Sequence, residues 1–332
     1  MIAYTIRRLL AAVPILIVSS FIIFWVASLS ADPIRQRFEG RNPPPPAATI
    51  QLERERLNFD AGFFRQYWDW LWNLVVHQDF GPSINSATNI GSELGRRTVI
   101  TFRLVILAMI LAVVLAVVTG VLSAVRQYSK LDYTFTFLGF LFLAMPSFWL
   151  AVVLKQGAIA FNDSVEGNLG RRPIPTINHQ ASVVPEEFWP RMMDIALHMV
   201  LPTISLALIT YAALSRFQRS SMLEVLNSDY IRLARAKGLS ARRVMVRHAL
   251  RTALIPLTTV TALGIASILG GAVVTETVYQ WRGMGDLLVT AVIAQDRYVT
   301  MGWLLVAGLF VILGNLTADL LYAVLDPRIR YE

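Results

Sequence analysis

The chain has 332 residues, of which 55% are apolar or aromatic and only 16% charged, with a formal charge of +8. Soluble domains carry about 25% charge, so this balance excludes an ordinary water-soluble globule and favours a chain solvated largely by lipid. The absence of cysteine rules out a disulfide framework or a thiolate metal site, and four scattered histidines (His77, His179, His198, His248) do not form a metal cage.

A membrane-crossing helix needs roughly 20 apolar residues. Six runs qualify, at Leu9–Ala31, Leu104–Val125, Tyr133–Leu154, Ile195–Ser215, Thr252–Thr275 and Tyr298–Ala318, and none holds Asp, Glu, Lys or Arg. The first follows Arg7 and Arg8, as a cleaved signal peptide would. Its apolar stretch exceeds a signal core of roughly 7–15 residues, however, so it reads as a retained helix. Basic residues fall in short clusters between apolar runs, which suits membrane orientation better than nucleic-acid binding. Arg7 and Arg8, Arg126 and Lys130, the stretch 216–251 with nine Lys/Arg against Glu224 and Asp229, and Arg328 and Arg330 all fall on one side if six helices cross. That side is cytoplasmic, and both termini lie there. The expected organisation is a first helix at 1–31, an external loop at 32–97, a five-helix core at 98–325 and a cytoplasmic tail at 326–332.

The connections differ in character. Pro43–Pro46 reads as a stiff spacer. Phe63, Phe64, Tyr67, Trp68, Trp70 and Trp72 then crowd a segment that ends at Asp79-Phe80-Gly81. It reads as an interfacial helix anchored by its aromatics, as a platform gating the outer mouth or receiving a partner, or as both at once. Residues 162–191 read as a polar external loop.

The chemistry of an enzyme is missing. There is no GxxxxGK[ST] phosphate loop, no HExxH and no GxSxG, and no carboxylate pair lies within a span. Ion-coupled carriers keep ionisable groups inside their spans, yet only His198 is available, and it reads as a packed histidine near Pro202. Pro146, Pro202 and Pro256, with Gly264, Gly270 and Gly271, mark places where helices bend or pack closely. The spans offer a path but no engine.

Within the basic stretch, Ser228 or Asp229 can cap a short helix. Tyr230, Leu233, Ala234 and Lys237 recur on one face, and Gly238 sits where a helix end needs a left-handed residue. Ser240 can cap a second helix running through Arg242, Arg243 and Arg247 into the fifth span. Ala234, Ala236 and Gly238 would let another protein approach closely. A plain basic loop on lipid headgroups is the blander alternative.

This stretch resembles the EAA loop of ABC-importer permeases, in the version of the dipeptide, oligopeptide and nickel transporters. Asp229-Tyr230, Ala234–Leu239, His248–Arg251 and Ala253–Pro256 carry the likeness. Where the general EAA pattern has glutamate and alanine, this chain has Arg232 and Leu233. Tyr4–Leu9, the Tyr67–Leu71 and Asp79–Ser83 segments, Ala144–Phe148, Glu276–Gly285 and Asp326-Pro327-Arg328 extend the likeness over nearly the whole chain, with Arg282 where the family often has proline. The resemblance implies an all-α type I ABC importer permease in the cytoplasmic membrane, paired with a sister permease. Two ATPases would bind ATP and Mg, and an external substrate-binding protein would deliver peptide cargo. By resemblance Asp229, Tyr230, Arg232, Leu233, Ala234, Arg235, Ala236, Lys237, Gly238 and Leu239 couple to the ATPase. Trp68, Trp70, Asp79, Phe80, Gly81, Trp281, Gly283 and Gly285 belong to the outer mouth, and Met145, Pro146, His198 and Pro202 to the path. Nickel or another small solute would fit the same architecture. A membrane enzyme or a signalling scaffold is a more distant alternative.

Overall fold

The computed structural model describes residues 2–29, 34, 38, 45–57, 59–84, 89–170 and 172–325, with the side chains at 2–4, 168–169, 262–263, 265–271 and 318–325 outside that description. Among the described residues every regular element is helical. In chain order these are α1 (Ile2–Ser28), α2 (Ala47–Arg56), α3 (Phe63–His77), α4 (Ile90–Val125), α5 (Lys130–Ala144), α6 (Ser147–Leu169), α7 (Phe188–Leu226), α8 (Asp229–Ala236), α9 (Ala241–Arg243), a π-helical turn (Val244–Leu250), α10 (Arg251–Tyr279), α11 (Met284–Ile293) and α12 (Arg297–Leu325). Four contain stretches long and apolar enough to cross a membrane: α1, α4, α7 and α12. At about 1.5 Å per residue, the 36 residues of α4 and 39 of α7 exceed the ~30 Å hydrocarbon core, so both project beyond it.

The third predicted span is corrected. It is a bent pair, α5 and α6, meeting at 108°. Proline at 146 disfavours α geometry at the residue before it, and Met145 is extended (ψ 130°). Pro146 then starts α6 as its N-cap, where its missing N–H costs nothing. The fifth predicted span lies in the 29-residue α10. The expected loop at 162–191 is shorter than read, because α6 runs to Leu169. Asn162 is buried, and its side chain exchanges two hydrogen bonds with Ile174 at 2.7 and 3.1 Å, pinning the chain that follows. Pro43 and Pro44 and the tail at 326–332 lie outside the described residues.

The chain divides into two compact units, Met1–Thr101 with Arg282–Ile312 and Phe102–Trp281 with Leu313–Glu332. The first is organised around an aromatic core that includes Phe24, Tyr67, Trp70, Leu94, Met284 and Tyr298. In the second, buried Tyr279 joins three helices: its hydroxyl donates to Ala151 O (3.1 Å) and shares a 2.8 Å hydrogen bond with Ser205 Oγ. Lys155 Nζ donates to Val278 O at 2.7 Å, placing a cation on the carbonyl-rich end of α10.

Candidate functional site

The basic stretch begins differently from the expected loop. Arg216 and Arg219 lie on α7, which continues to Leu226. Arg219 grips Asp132 at the start of α5 through Nε (2.8 Å) and Nη2 (2.9 Å). The same buried carboxylate accepts from Ser123 Oγ at 2.7 Å and Tyr128 N at 2.9 Å. One side chain therefore ties together the end of α4, the turn after it, α5 and α7. Sequence reasoning missed this latch. The available signal was Ser129 three residues ahead of Asp132, just before an apolar run, and Ser129 does cap α5 by accepting from Asp132 N.

Helix α8 sits on that base. Ile231 is fully buried and Ala234 is 9% exposed, packed with Met222 and Val225 of α7 and with Val244, Ala249 and Ala253. This corrects the expected face: Ala234 points inward, while Tyr230 (45%) and Leu233 (56%) stand outward. Asp229, Arg232, Arg235, Ala236, Lys237 and Gly238 are exposed as well, and Leu239 is half-buried beneath them. Asp229 and Arg232 form an exposed pair at 3.3 Å, worth about 0.5 kcal/mol or less in water.

Both ends of α8 are geometrically defined. Ser228 holds the N-cap backbone position, but its hydroxyl turns back to Val225 O and does not cap the helix. At the other end Gly238 N donates to Arg235 O (2.9 Å) and Leu239 N to Ala234 O (3.4 Å), the paired bonds of a Schellman turn. Gly238 has φ +76°, and a Cβ there would meet nothing within 4 Å. Glycine is thus favoured by backbone conformation alone. Ser240 likewise holds the next N-cap position without a side-chain bond. The helix beyond it widens into the π turn Val244–Leu250. That wider turn puts Val244 and Ala249, five residues apart, on the same buried face, which α spacing would separate.

Of the residues expected at the outer mouth, Trp70, Trp281, Gly283 and Gly285 are buried, Phe80 and Gly81 half-buried, and Trp68 and Asp79 exposed. In the first unit Trp70 Nε1 donates to Phe80 O at 3.1 Å, and Asp79 accepts from Gly81 N at 3.0 Å. Gly81 has φ +94°, and a Cβ there would lie 3.0 Å from the Tyr298 ring. Asp296, also missed in the sequence, receives Ser83 Oγ (2.6 Å) and Ile84 N (2.8 Å) and caps the start of α12 through Val299 N (3.3 Å). An aspartate just ahead of an apolar run was the available signal. Arg97 donates to Gly283 O and Asp286, fixing the start of α11 where Gly285 is buried. Trp68 alone among these aromatics is exposed. In the second unit Trp281 is fully buried, with the Arg103 guanidinium 5.6 Å from its ring centroid.

The expected path residues form two pairs. Met145 and Pro146 form the α5–α6 break. His198 Nδ1 lies 2.8 Å from Asp194 O, one turn back on α7. Pro202 is buried and, lacking an N–H, leaves the His198 carbonyl without its helical donor. No hydrogen bond or ring contact among the described residues joins the two pairs. A Cβ at Gly264 would meet nothing within 4 Å, and the side-chain surroundings of Gly270 and Gly271 lie outside the description.

Among the described residues the chain is all helical, with four helices long and apolar enough to cross a membrane and a short helix seated on a packed base, the architecture of a helical membrane protein. The chain belongs to the binding-protein-dependent transport system inner membrane component family, whose model matches residues 116–331, with the N-terminal model of the same family matching 1–116. It is 37% identical over 327 residues to an oligopeptide transport system permease protein (OppB) of Mycobacterium tuberculosis, covering 98% of each chain. It is 38% identical over 338 residues to the oligopeptide permease AppB of Bacillus subtilis, and 35% identical over 341 residues to the dipeptide permease DppB of Escherichia coli, covering each in full. Among solved structures, a chain of the MetNI methionine ABC transporter in inward-facing conformations matches with a TM-score of 0.54 and 17% identity, over 71% of this chain and 97% of that one. That likeness establishes the permease fold.

Proposed function

We propose that this chain is one of two permease subunits of an ATP-driven importer of short peptides, and that α8 is its contact with the ATPases. One observation carries the reading. Helix α8 buries Ile231 and Ala234 against Met222 and Val225 of α7, the π turn Val244–Leu250 and Ala253 of α10 while presenting Tyr230, Leu233, Arg235 and Lys237 outward, and it ends in a fixed turn at Gly238. A helix held on both its inner face and its end transmits a push as a rigid body. The sister permease, the two ATPases with their ATP and Mg, and the external binding protein follow from membership of this family. Peptide cargo follows from the named relatives. In this reading the chain crosses six times, with the bent pair α5–α6 as one crossing and α10 as another, and both termini are cytoplasmic. The path passes Met145, Pro146, His198 and Pro202. The binding protein docks on the first unit, whose surface is held in shape by Trp70, Asp79, Phe80, Gly81, Gly283 and Gly285, while Trp281 does the same within the second unit.

Gly238→Val tests the coupling. A β-branched residue at positive φ costs about 1–2 kcal/mol and moves the turn, so uptake and stimulated ATP hydrolysis should separate in reconstituted vesicles. Gly238→Asn, which tolerates this backbone, should retain both. Normal uptake and stimulation in Gly238→Val would contradict the assignment. Cargo is tested by supplying short peptides and nickel to the same vesicles with the co-purified binding protein; accumulation of nickel alone would overturn the peptide reading.

A further inference from the structure

Helix α3 has three faces. Gln66, Tyr67 and Trp70 are buried, with Phe63, Leu71 and Leu74 partly so. Arg65, Asp69 and Asn73 lie along a largely polar edge that also carries the half-exposed Val76, and Arg65 lies 3.8 Å from Asp69. Between these two faces, Phe64, Trp68, Trp72 and Val75 are all more than half exposed. At about 100° per residue the four fall within roughly 80° of arc, a continuous apolar stripe.

The depth of this stripe follows from what the buried face grips. The Tyr67 hydroxyl shares a 2.9 Å hydrogen bond with Ser20 and donates to Ile17 O at 3.2 Å. The Phe63 ring lies 5.7 Å from Phe21 and 5.2 Å from Phe24. All four partners belong to the apolar span Thr5–Ser28. Ile17 lies eleven residues before its end at Ser28, about 16 Å along the helix axis. Tyr67 therefore reaches roughly halfway into a hydrocarbon layer of ~30 Å. At the same level α1 exposes Val18, Ile22, Trp25 and Val26, a span's ordinary lipid face.

We propose that α3 lies within one leaflet of the bilayer, with Phe64, Trp68, Trp72 and Val75 against acyl chains and Arg65, Asp69 and Asn73 toward headgroups and water. Lipid is the occupant because the stripe continues the exposed apolar face of α1 at hydrocarbon depth. The polar edge orients the helix there, and four large apolar side chains in water would form an aggregation-prone patch. Trp68 is on this reading an anchor in lipid and not a contact for a soluble partner. The inference is independent of the cargo.

The chain has no cysteine, so it accepts unique nitroxide labels in a complete transporter whose partner subunits are also cysteine-free. Single substitutions such as Trp68→Cys and Asp69→Cys, extended over both faces in lipid vesicles, should alternate. Oxygen collisions should exceed those of a water-soluble nickel chelate several-fold at Phe64, Trp68, Trp72 and Val75, and the ratio should reverse at Arg65, Asp69 and Asn73. Loss of alternation, or stripe labels shielded from both reagents by protein, would overturn the proposal. Where a cysteine variant fails to assemble, the conservative pair Trp68→Phe and Trp72→Phe serves. With chain-brominated lipids this pair should remove part of the quenchable tryptophan emission. Unchanged quenching would count against the proposal just as directly.

Discussion

Helix α8 and the corner from Asp79 to Ser83 are both dense in motif residues, and they use them in opposite ways. At the corner the motif turns inward: Trp70 bonds Phe80, Gly81 lies against Tyr298, and Ser83 bonds Asp296. At α8 Ile231 and Ala234 are buried so that Tyr230 and Leu233 are held outward. Residue type does not separate the two cases, since each contains aromatics, a glycine at positive φ and charge. The direction of each side chain separates them. A motif that folds upon itself builds a shape, and one that stands off a packed base builds a contact.

Substitutions can break this comparison, beginning with the base of α8. Asp132→Ala removes the buried acceptor of Ser123 Oγ and Tyr128 N and releases the partly exposed Arg219, at about 1–3 kcal/mol for each stranded buried group. Thermal melting of the purified chain should fall by many degrees, with assembly failing in parallel. Asp296→Ala leaves the buried Ile84 N–H without its acceptor and removes the cap on Val299 N, at about 1–3 kcal/mol for each stranded group. Here melting should fall further than for Trp70→Phe, which loses one hydrogen bond worth about 1 kcal/mol. In both corner variants transport should decline only as stability does. Tyr230→Ala with Leu233→Ala should shift stability least, within about 0.5 kcal/mol, because both side chains are already exposed. A large melting change in that double variant would mean that α8 is a structural element like the corner.

Much of this was legible in the residues. The position of Gly238 announced the end of α8, and Pro146 announced a bend, because backbone conformation is a local property that Gly and Pro dictate. The sense of the α8 face was not legible. Ala234 and Leu233 are adjacent apolar residues, and only the packing of Met222 and Val225 decides that the alanine turns inward. The 108° sharpness of the α5–α6 break was equally hidden. Proline forbids a helical Met145, but the angle depends on what each half packs against. Asp132 and Asp296 escaped notice because their partners Arg219 and Ser83 are remote in sequence. Capping signals locate such aspartates without naming what else they hold.

ATP hydrolysis by the assembled, reconstituted transporter, with and without peptide-loaded binding protein, tests the central claim most directly when the Tyr230→Ala, Leu233→Ala chain replaces the natural one. The exposed face of α8 as the coupling contact predicts normal assembly and melting, with stimulation of hydrolysis lost. Full stimulation in a normally assembled complex would contradict it.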